Sequence, residues 1–459
     1  MSIRRIARTL GHLSALAFVV TASCSKDPAA PAKTFGETDV FVSSSSGSDV
    51  NDGSRQSPFK TLERALSTAA VAGGGTVNIA AGTYGEDVEL VSGVSLRGGY
   101  SDDFLERDVA NHETIIDGDG PSTIFGKGVS GLRVEGITIT NADVQSGETR
   151  TASVAVHLHD CTDVVFSTNT VRSGSVLKTG ADGGNGGGGK PGGDGSSGTS
   201  GGAGGEGGDP YLPGPLGFGG AGGNGGVVGL GQSGEDGDGG AGGTGGTAGG
   251  GDGGDGVRGD NGSRGADGAG IGDVDSTGYR TADGEQGGNG RVGLGGGGGG
   301  GGYGVEVGGE TIRGGGGGGG GAGGLGGSGG RGGEGGGASI GIIVSGESSV
   351  TLDNNVIETG DGGRGGDGGR GGSGGAGGTG GNGAFGYTSG GSGGTGGRGG
   401  TGGPGGAGGG GPTVGIVVGP DAEAVIRDNF FQLGTPGNGG QNGNSTAGND
   451  GVSADTKQL

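Results

Sequence analysis

Apolar and polar positions alternate in three widely separated stretches of equal length. Residues 153–174 read SVAVHLHDCTDVVFSTNTVRSG, residues 339–360 SIGIIVSGESSVTLDNNVIETG and residues 413–434 TVGIVVGPDAEAVIRDNFFQLG, and the three align without a gap. Val156, Ile342 and Ile416 share a column, as do Leu158, Val344 and Val418, then Phe166, Leu352 and Ile426, then Val171, Ile357 and Phe431. A looser copy places Leu132, Val134 and Ile139 in the same apolar columns. Within one copy the period is two, then breaks, then is two again, which predicts strand, turn, strand with alternate residues inward. One copy cannot bury its apolar face alone, and repeats of this length solve the problem by stacking. The expected fold is all-β, a parallel β-helix whose rungs lie about 4.8 Å apart. Asn169, Asn355 and Asn429 also share a column, at the bend, and stacked amides there can hydrogen-bond along a ladder.

Ahead of the repeats, Phe59, Leu62, Ala65, Leu66 and Ala69 recur at helical spacing, a stripe suited to covering the first coil. Around it, Gly47, Asp49, Gly53, Pro58-Phe59-Lys60-Thr61, Ala65, Ala69 and Ala81-Gly82-Thr83-Tyr84 form a pattern. That pattern resembles the N-terminal domain of unknown function found in bacterial β-helix proteins of the pectin-lyase-like superfamily. The resemblance implies a right-handed helix with an N-terminal capping helix.

The remaining sequence is of another kind. Glycine supplies 147 of 459 residues, but with 12 prolines and mostly two glycines per triplet the chain is not collagen. The glycine-rich segments leave after Gly174, Gly360 and Gly434, so they read as insertions between coils. The boundaries expected are 39–174 for cap and first coils, 175–338 for an insertion and 339–360 for a coil. A second insertion follows at 361–412, then a coil at 413–434 and a glycine/polar tail at 435–459. From Asp361 to Gly381 the triplets X-G-G are unbroken, and after Ala384 to Ser389 they resume from Ser392. A polyproline-II-type helix has three residues per turn and satisfies none of its own backbone groups, so bare glycine edges can bond laterally. Two passes joined by a turn would return the chain to the next coil. In the first insertion 210–218, 257–287 and 303–313 interrupt the triplets and read as turns. The triplets resemble polyglycine-II bundles of a glycine-rich antifreeze protein and of phage adhesin tips, and the glycine-rich repeats of mycobacterial surface proteins. The competing reading of these segments is a disordered envelope spacer.

The first residues, MSIRRIARTLGHLSALAFVVTASC, combine Arg4, Arg5 and Arg8 with a short apolar run and a small-residue site before Cys24. They read as a signal peptide over 1–23, with Cys24 as a lipidated residue and 24–38 as a tether. The expected location is the cell envelope, lipid-anchored, at the outer membrane or cell surface. A formal charge of −22, more negative once those arginines are removed, excludes nucleic acid as a partner. If Cys24 carries lipid, Cys161 has no intramolecular partner, and no disulfide framework forms.

Catalytic candidates gather in one coil: His157, His159, Asp160, Asp163 and Arg172. The His157 and His159 positions hold Ile343 and Ser345, then Val417 and Gly419, in the other copies. Nothing converges across coils, so both histidines read as exposed structural residues, with no catalytic set, metal or cofactor assigned. Asp361, Arg364, Asp367 and Arg370 alternate in sign along one glycine pass and read as a solvated face. If the Val156 and Leu158 columns point inward, Ile343, Val417 and Val425 point outward and need cover. The reading favoured is a non-enzymatic scaffold displaying a glycine-rich bundle for adhesion, glycan binding or surface structure, with a surface polysaccharide or cell-surface protein as partner. The alternative is a polysaccharide lyase or glycoside hydrolase.

Overall fold

The structure, a computed structural model, describes residues 38–210, 216–246 and 248–459. Cys24 and the segment before residue 38 lie outside the described residues. The coils form a right-handed parallel β-helix with three sheets. Sheet I has seven strands, ordered Val40–Val42, Gly75–Ala80, Val94–Tyr100, Ser130–Glu135, Thr162–Ser167, Ser349–Asp353 and Glu423–Arg427. Sheet II has six, from Val88–Glu89 through Ile124–Lys127, Ala152–His159, Ala338–Ser345 and Thr413–Val418 to Ser453–Gln458. Sheet III also has six, from Gly82–Tyr84 through Thr114–Gly118, Thr138–Asn141, Thr170–Ser173 and Val356–Thr359 to Phe430–Gln432.

The apolar columns of the sequence are rungs in register. Val156 pairs with Ile124 below and Ile342 above, and Ile342 with Ile416. Phe166 sits between Val134 and Leu352, and Val171 between Ile139 and Ile357. These side chains form one buried cluster, each contributing on the order of 1.5–3 kcal/mol by burial. The sequence pattern predicted two strands per copy, and the structure has three. Thr168, Asn354 and Asp428 take φ of 54°, 51° and 50°, which breaks the second half into a sheet I strand and a short sheet III strand. Asn169, Asn355 and Asn429 follow these kinks. Asn169 Nδ2 donates to Asn355 Oδ1 at 3.2 Å, and Asn355 Nδ2 donates to Asn429 Oδ1 at 2.9 Å.

Helix Leu62–Val71 closes the first rungs with Leu62, Ala65, Leu66 and Ala69 buried. Its start is fixed by polar groups: Thr61 Oγ1 accepts from Arg64 N, and the Glu86 carboxylate accepts from Leu62 N and Glu63 N.

The insertions form a laterally hydrogen-bonded bundle of extended passes. Gly180, Gly183, Gly186 and Gly189 donate to the carbonyls of Arg364, Asp367, Arg370 and Ser373 at 2.7–2.8 Å. In the pass 314–337 successive amides go to different neighbours: Gly318 to Gly391, Gly319 to Ser196 and Gly320 to Gly220. A helix of three residues per turn presents its amides in just this way. The number of glycines per triplet therefore follows the number of neighbours. Residues 314–321 are all glycine, and a Cβ on any of Gly315, Gly316 or Gly317 would overlap the carbonyl oxygen of Ala384, Ala203 or Gly299. In 361–382 one position in three is free to be Arg364, Asp367 or Ser373. In 256–268 only Gly256, Gly259, Gly262, Gly265 and Gly268 are held against neighbours, so two positions carry side chains.

At the bundle edge, side-chain oxygens replace missing neighbours. Asp194, Asp255 and Asn261 accept from the amides of Thr379, Thr395 and Thr401 at 2.7–3.0 Å. The row Asp361, Arg364, Asp367 and Arg370 is less free than a solvated face. Asp361 and Asp367 accept from Thr435 N and Gln441 N, and Arg364 pairs with Asp367 at 2.5 Å. The segment 257–287, read as a turn, is instead an edge pass, a hairpin (Asp273–Asp275 with Gly278–Arg280) and the start of the next pass. One glycine per triplet looked like an interruption of X-G-G but marks a pass with fewer neighbours. Residues 303–313 hold a second hairpin, Val305–Val307 with Glu310–Ile312. The tail adds to the bundle and then supplies Ser453–Gln458 to sheet II, a strand too polar to stand out by alternation.

Candidate functional site

A cleft of about 530 Å³ opens between the outer face of sheet II and the Asp273–Arg280 hairpin. The long sheet II strands bend between Val154 and Val156, so Val154, His157 and their equivalents face outward together. The hairpin lies over them and brings Tyr279. Ala152, Val154, Ile340, Ile343, Val414 and Val417 are thereby buried in a second apolar cluster, with Ile271, Val274 and Leu459 packed against it. The cover expected over Ile343 and Val417 is this hairpin. Val425 is different: it lies on sheet I and is 44% exposed.

His157 is buried, not exposed as its sequence neighbours suggested, because the hairpin covers it. Its Nε2 lies 3.0 Å from Ser345 Oγ, and its ring is beside Phe125. His159, half-buried, shares the same Ser345 hydroxyl through Nδ1 at 3.0 Å and lies 3.2 Å from Asp160 Oδ2 by Nε2. Asp160 in turn accepts from Glu347 N. Of the five candidates, the fold thus gathers His157, His159 and Asp160 around a serine of the next coil. Asp163 is exposed and apart, and Arg172 is paired with Glu358 on sheet III at 2.6 Å. Ser345 occupies the His159 column, so the alignment of copies already placed the two residues one rung apart.

Burial, reinforced by His159, pushes His157 down to about 4. The contact of Nε2 with the Ser345 hydroxyl ties the ring to the next coil. Across the cleft, desolvation raises the Asp87 carboxyl above its ordinary value. Arg150 is tied into the fold, donating to Glu148, Gly120, Asp143 and Asn141. Nothing in the repeat pattern marks Asp87 or Tyr279, since neither lies in a repeat. Among the described residues no group of three or more His, Cys, Asp or Glu is placed to hold a metal, and no helix is long and apolar enough to cross a membrane. Cys161 is buried, with Sγ 3.4 Å from the His159 carbonyl.

The depressed His157 value gives an expected pH dependence. Unfolded chains take up the proton from about 6.5 downward, whereas the folded site resists until about 4. Stability should therefore be complete above this window and fall as pH drops through it. The melting temperature of wild type should fall more between neutral pH and pH 4 than that of His157→Gln. Parallel pH profiles would show that this histidine is not the sensitive group.

A second surface lies at the end of the bundle remote from the coils, where its turns meet. Gly229 and Gly304 exchange both backbone hydrogen bonds, Tyr387 N donates to Arg313 O, and Gly250 N donates to Ser389 O. These turns hold Phe385 (84% exposed), Tyr387, Val228, Leu230 and Val307 in the open.

Residues 45–183, less than a third of the chain, match the model of a family described as a protein of unknown function (DUF1565). No curated protein matches the chain. Among solved structures, a lacto-N-biosidase from Eubacterium ramulus is 20% identical, over 30% of this chain and 25% of that one, with a TM-score of 0.20. A putative glycosyl hydrolase from Parabacteroides merdae is 14% identical, over 24% and 57%, with a TM-score of 0.18. The pectin methylesterase PemA from Erwinia chrysanthemi is 18% identical, over 33% and 47%, with a TM-score of 0.22. The chain thus spans between a quarter and somewhat over half of the length of these proteins. The chain is a right-handed parallel β-helix by its fold, with a DUF1565 match across its first coils.

Proposed function

We propose that this chain is a non-enzymatic cell-envelope lipoprotein, anchored through Cys24, whose β-helix displays the glycine bundle for adhesion to a surface glycan. The observation that supports this reading is the remote end of the bundle. Five large apolar side chains stand exposed on turns that a continuous hydrogen-bond network holds in place, and exposed apolar patches of this kind mark interaction surfaces. Aromatic rings such as Phe385 and Tyr387 suit the flat apolar faces of sugar rings.

The test is a panel of acidic and neutral polysaccharides, with and without Ca²⁺, followed for both retention and new chain ends. Retention without new ends is expected, and Phe385→Ser with Tyr387→Ser should weaken it by about tenfold or more. Release of chain ends would instead support a lyase or hydrolase working in the cleft beside Asp87. Retention that ignores both substitutions would remove the bundle end from the binding surface.

A further inference from the structure

The two ends of the coil stack are finished differently. Helix Leu62–Val71 covers the first rungs. At the other end, Glu423–Arg427 and Phe430–Gln432 are the outermost strands of sheets I and III among the described residues. The chain beyond Gln432 does not fold back over them. It enters the bundle at Gly437 and Gly440 and returns only as the sheet II strand Ser453–Gln458. The edge is consequently raw. Phe430 is 62% exposed, and Ala424, Ile426 and Phe431 are only half-buried, whereas Val350 and Leu352 one rung inward are buried. An unpaired strand with apolar neighbours is a template for another strand.

The side chains of that edge strand specify which strand. Its outward face reads Glu423, Val425, Arg427, all exposed, and neither charged side chain has a partner among the described residues. Laid antiparallel to a copy of itself about Val425, the strand sets Glu423 opposite the partner's Arg427 and Arg427 opposite the partner's Glu423. Val425 then meets the partner's Val425. A parallel copy would oppose like charges, which is unfavourable for directly facing residues. A head-to-tail stack meets the capping helix. The pattern is thus self-complementary about a two-fold axis, the geometry of a symmetric dimer contact.

We propose that a second copy of this chain docks tail to tail on this edge, continuing sheet I by antiparallel pairing of the two Glu423–Arg427 strands across a two-fold axis at Val425. The contact covers Phe430 and Ile426, satisfies the open main-chain groups and forms two facing ion pairs. It uses neither the cleft nor the bundle end, so its outcome is independent of the adhesive reading.

Sedimentation equilibrium of the mature chain, with Cys24→Ser to remove the lipidation site, tests it. Wild type should show a dimer that added salt weakens. Arg427→Glu should weaken dimerisation by at least about tenfold by opposing acid to acid, and Glu423→Arg should do the same by opposing base to base. The double variant Glu423→Arg with Arg427→Glu should restore the dimer. Circular dichroism and melting of each variant should match wild type, because both positions are exposed. A monomeric wild type overturns the proposal, as does a dimer indifferent to either single reversal or a double variant that fails to recover.

Discussion

Replacing Gly318 by leucine is expected to open the glycine bundle while leaving the β-helix folded. Gly318 lies in the all-glycine pass, and a Cβ there would occupy the space of the Gly381 carbonyl. That carbonyl belongs to a neighbouring pass which cannot retreat, because Gly381 N is itself bonded to Gly319 O. Gly318 N is meanwhile tied to Gly391 O on another neighbour. Overpacking a core usually costs about 1–3 kcal/mol, and here the obstacle is backbone rather than a side chain that can turn aside. The cost should exceed that range. Hydrogen exchange would show passes 314–337, 361–384 and 389–411 losing protection, while amides of Ala338–Ser345 keep theirs. Ala376→Leu is the control, an exposed position in the same bundle, and should change little. Equal behaviour of the two variants would refute the account of glycine count as neighbour count.

Asn355→Ala should lower the melting temperature most among ladder substitutions. The Asn355 side chain is buried and fully used: Oδ1 accepts from Asn169 N and Nδ2, and Nδ2 donates to Phe166 O and Asn429 Oδ1. Alanine leaves the Asn169 amide and the Phe166 carbonyl buried without partners. Each such orphan costs about 1–3 kcal/mol, so a loss of roughly 3–5 kcal/mol is expected. Asn429→Ala should cost less, because the last rung is partly solvated and water can replace what is lost. Chemical denaturation of both variants checks this. Equal small losses would mean that asparagine serves only the local turn.

The columns through Val156, Phe166 and Val171 were legible in the sequence because each rung repeats the same inward choice, and the asparagine bend was legible for the same reason. What escaped was structure that one copy alone carries. His157 looked exposed because its own strand faces it outward, and its cover comes from Tyr279, more than a hundred residues away in a glycine-rich segment. Asp273–Arg280 has too few apolar residues to announce a hairpin. The strand Ser453–Gln458 is polar on both faces and owes its existence to the waiting edge of Thr413–Val418. The bundle was half legible. Strict X-G-G phase points to lateral bonding, but runs such as 256–268 resemble turns by sequence because an edge pass with fewer neighbours needs fewer glycines.

Coils and bundle are interleaved along the chain, and this sets the order in which the molecule can assemble. The hydrogen bond between His157 and Ser345 joins residues 188 apart, and that between Asn169 and Asn355 joins residues 186 apart. A rung above Ser167 therefore cannot be laid down until the intervening glycine-rich chain has been brought back to its starting corner. Glycine makes that closure especially demanding in entropy. Each pass that bonds to its predecessor shortens the effective loop, which lowers the entropy cost of adding the last coils. The non-local pairing that results belongs to the slow end of the range of folding rates.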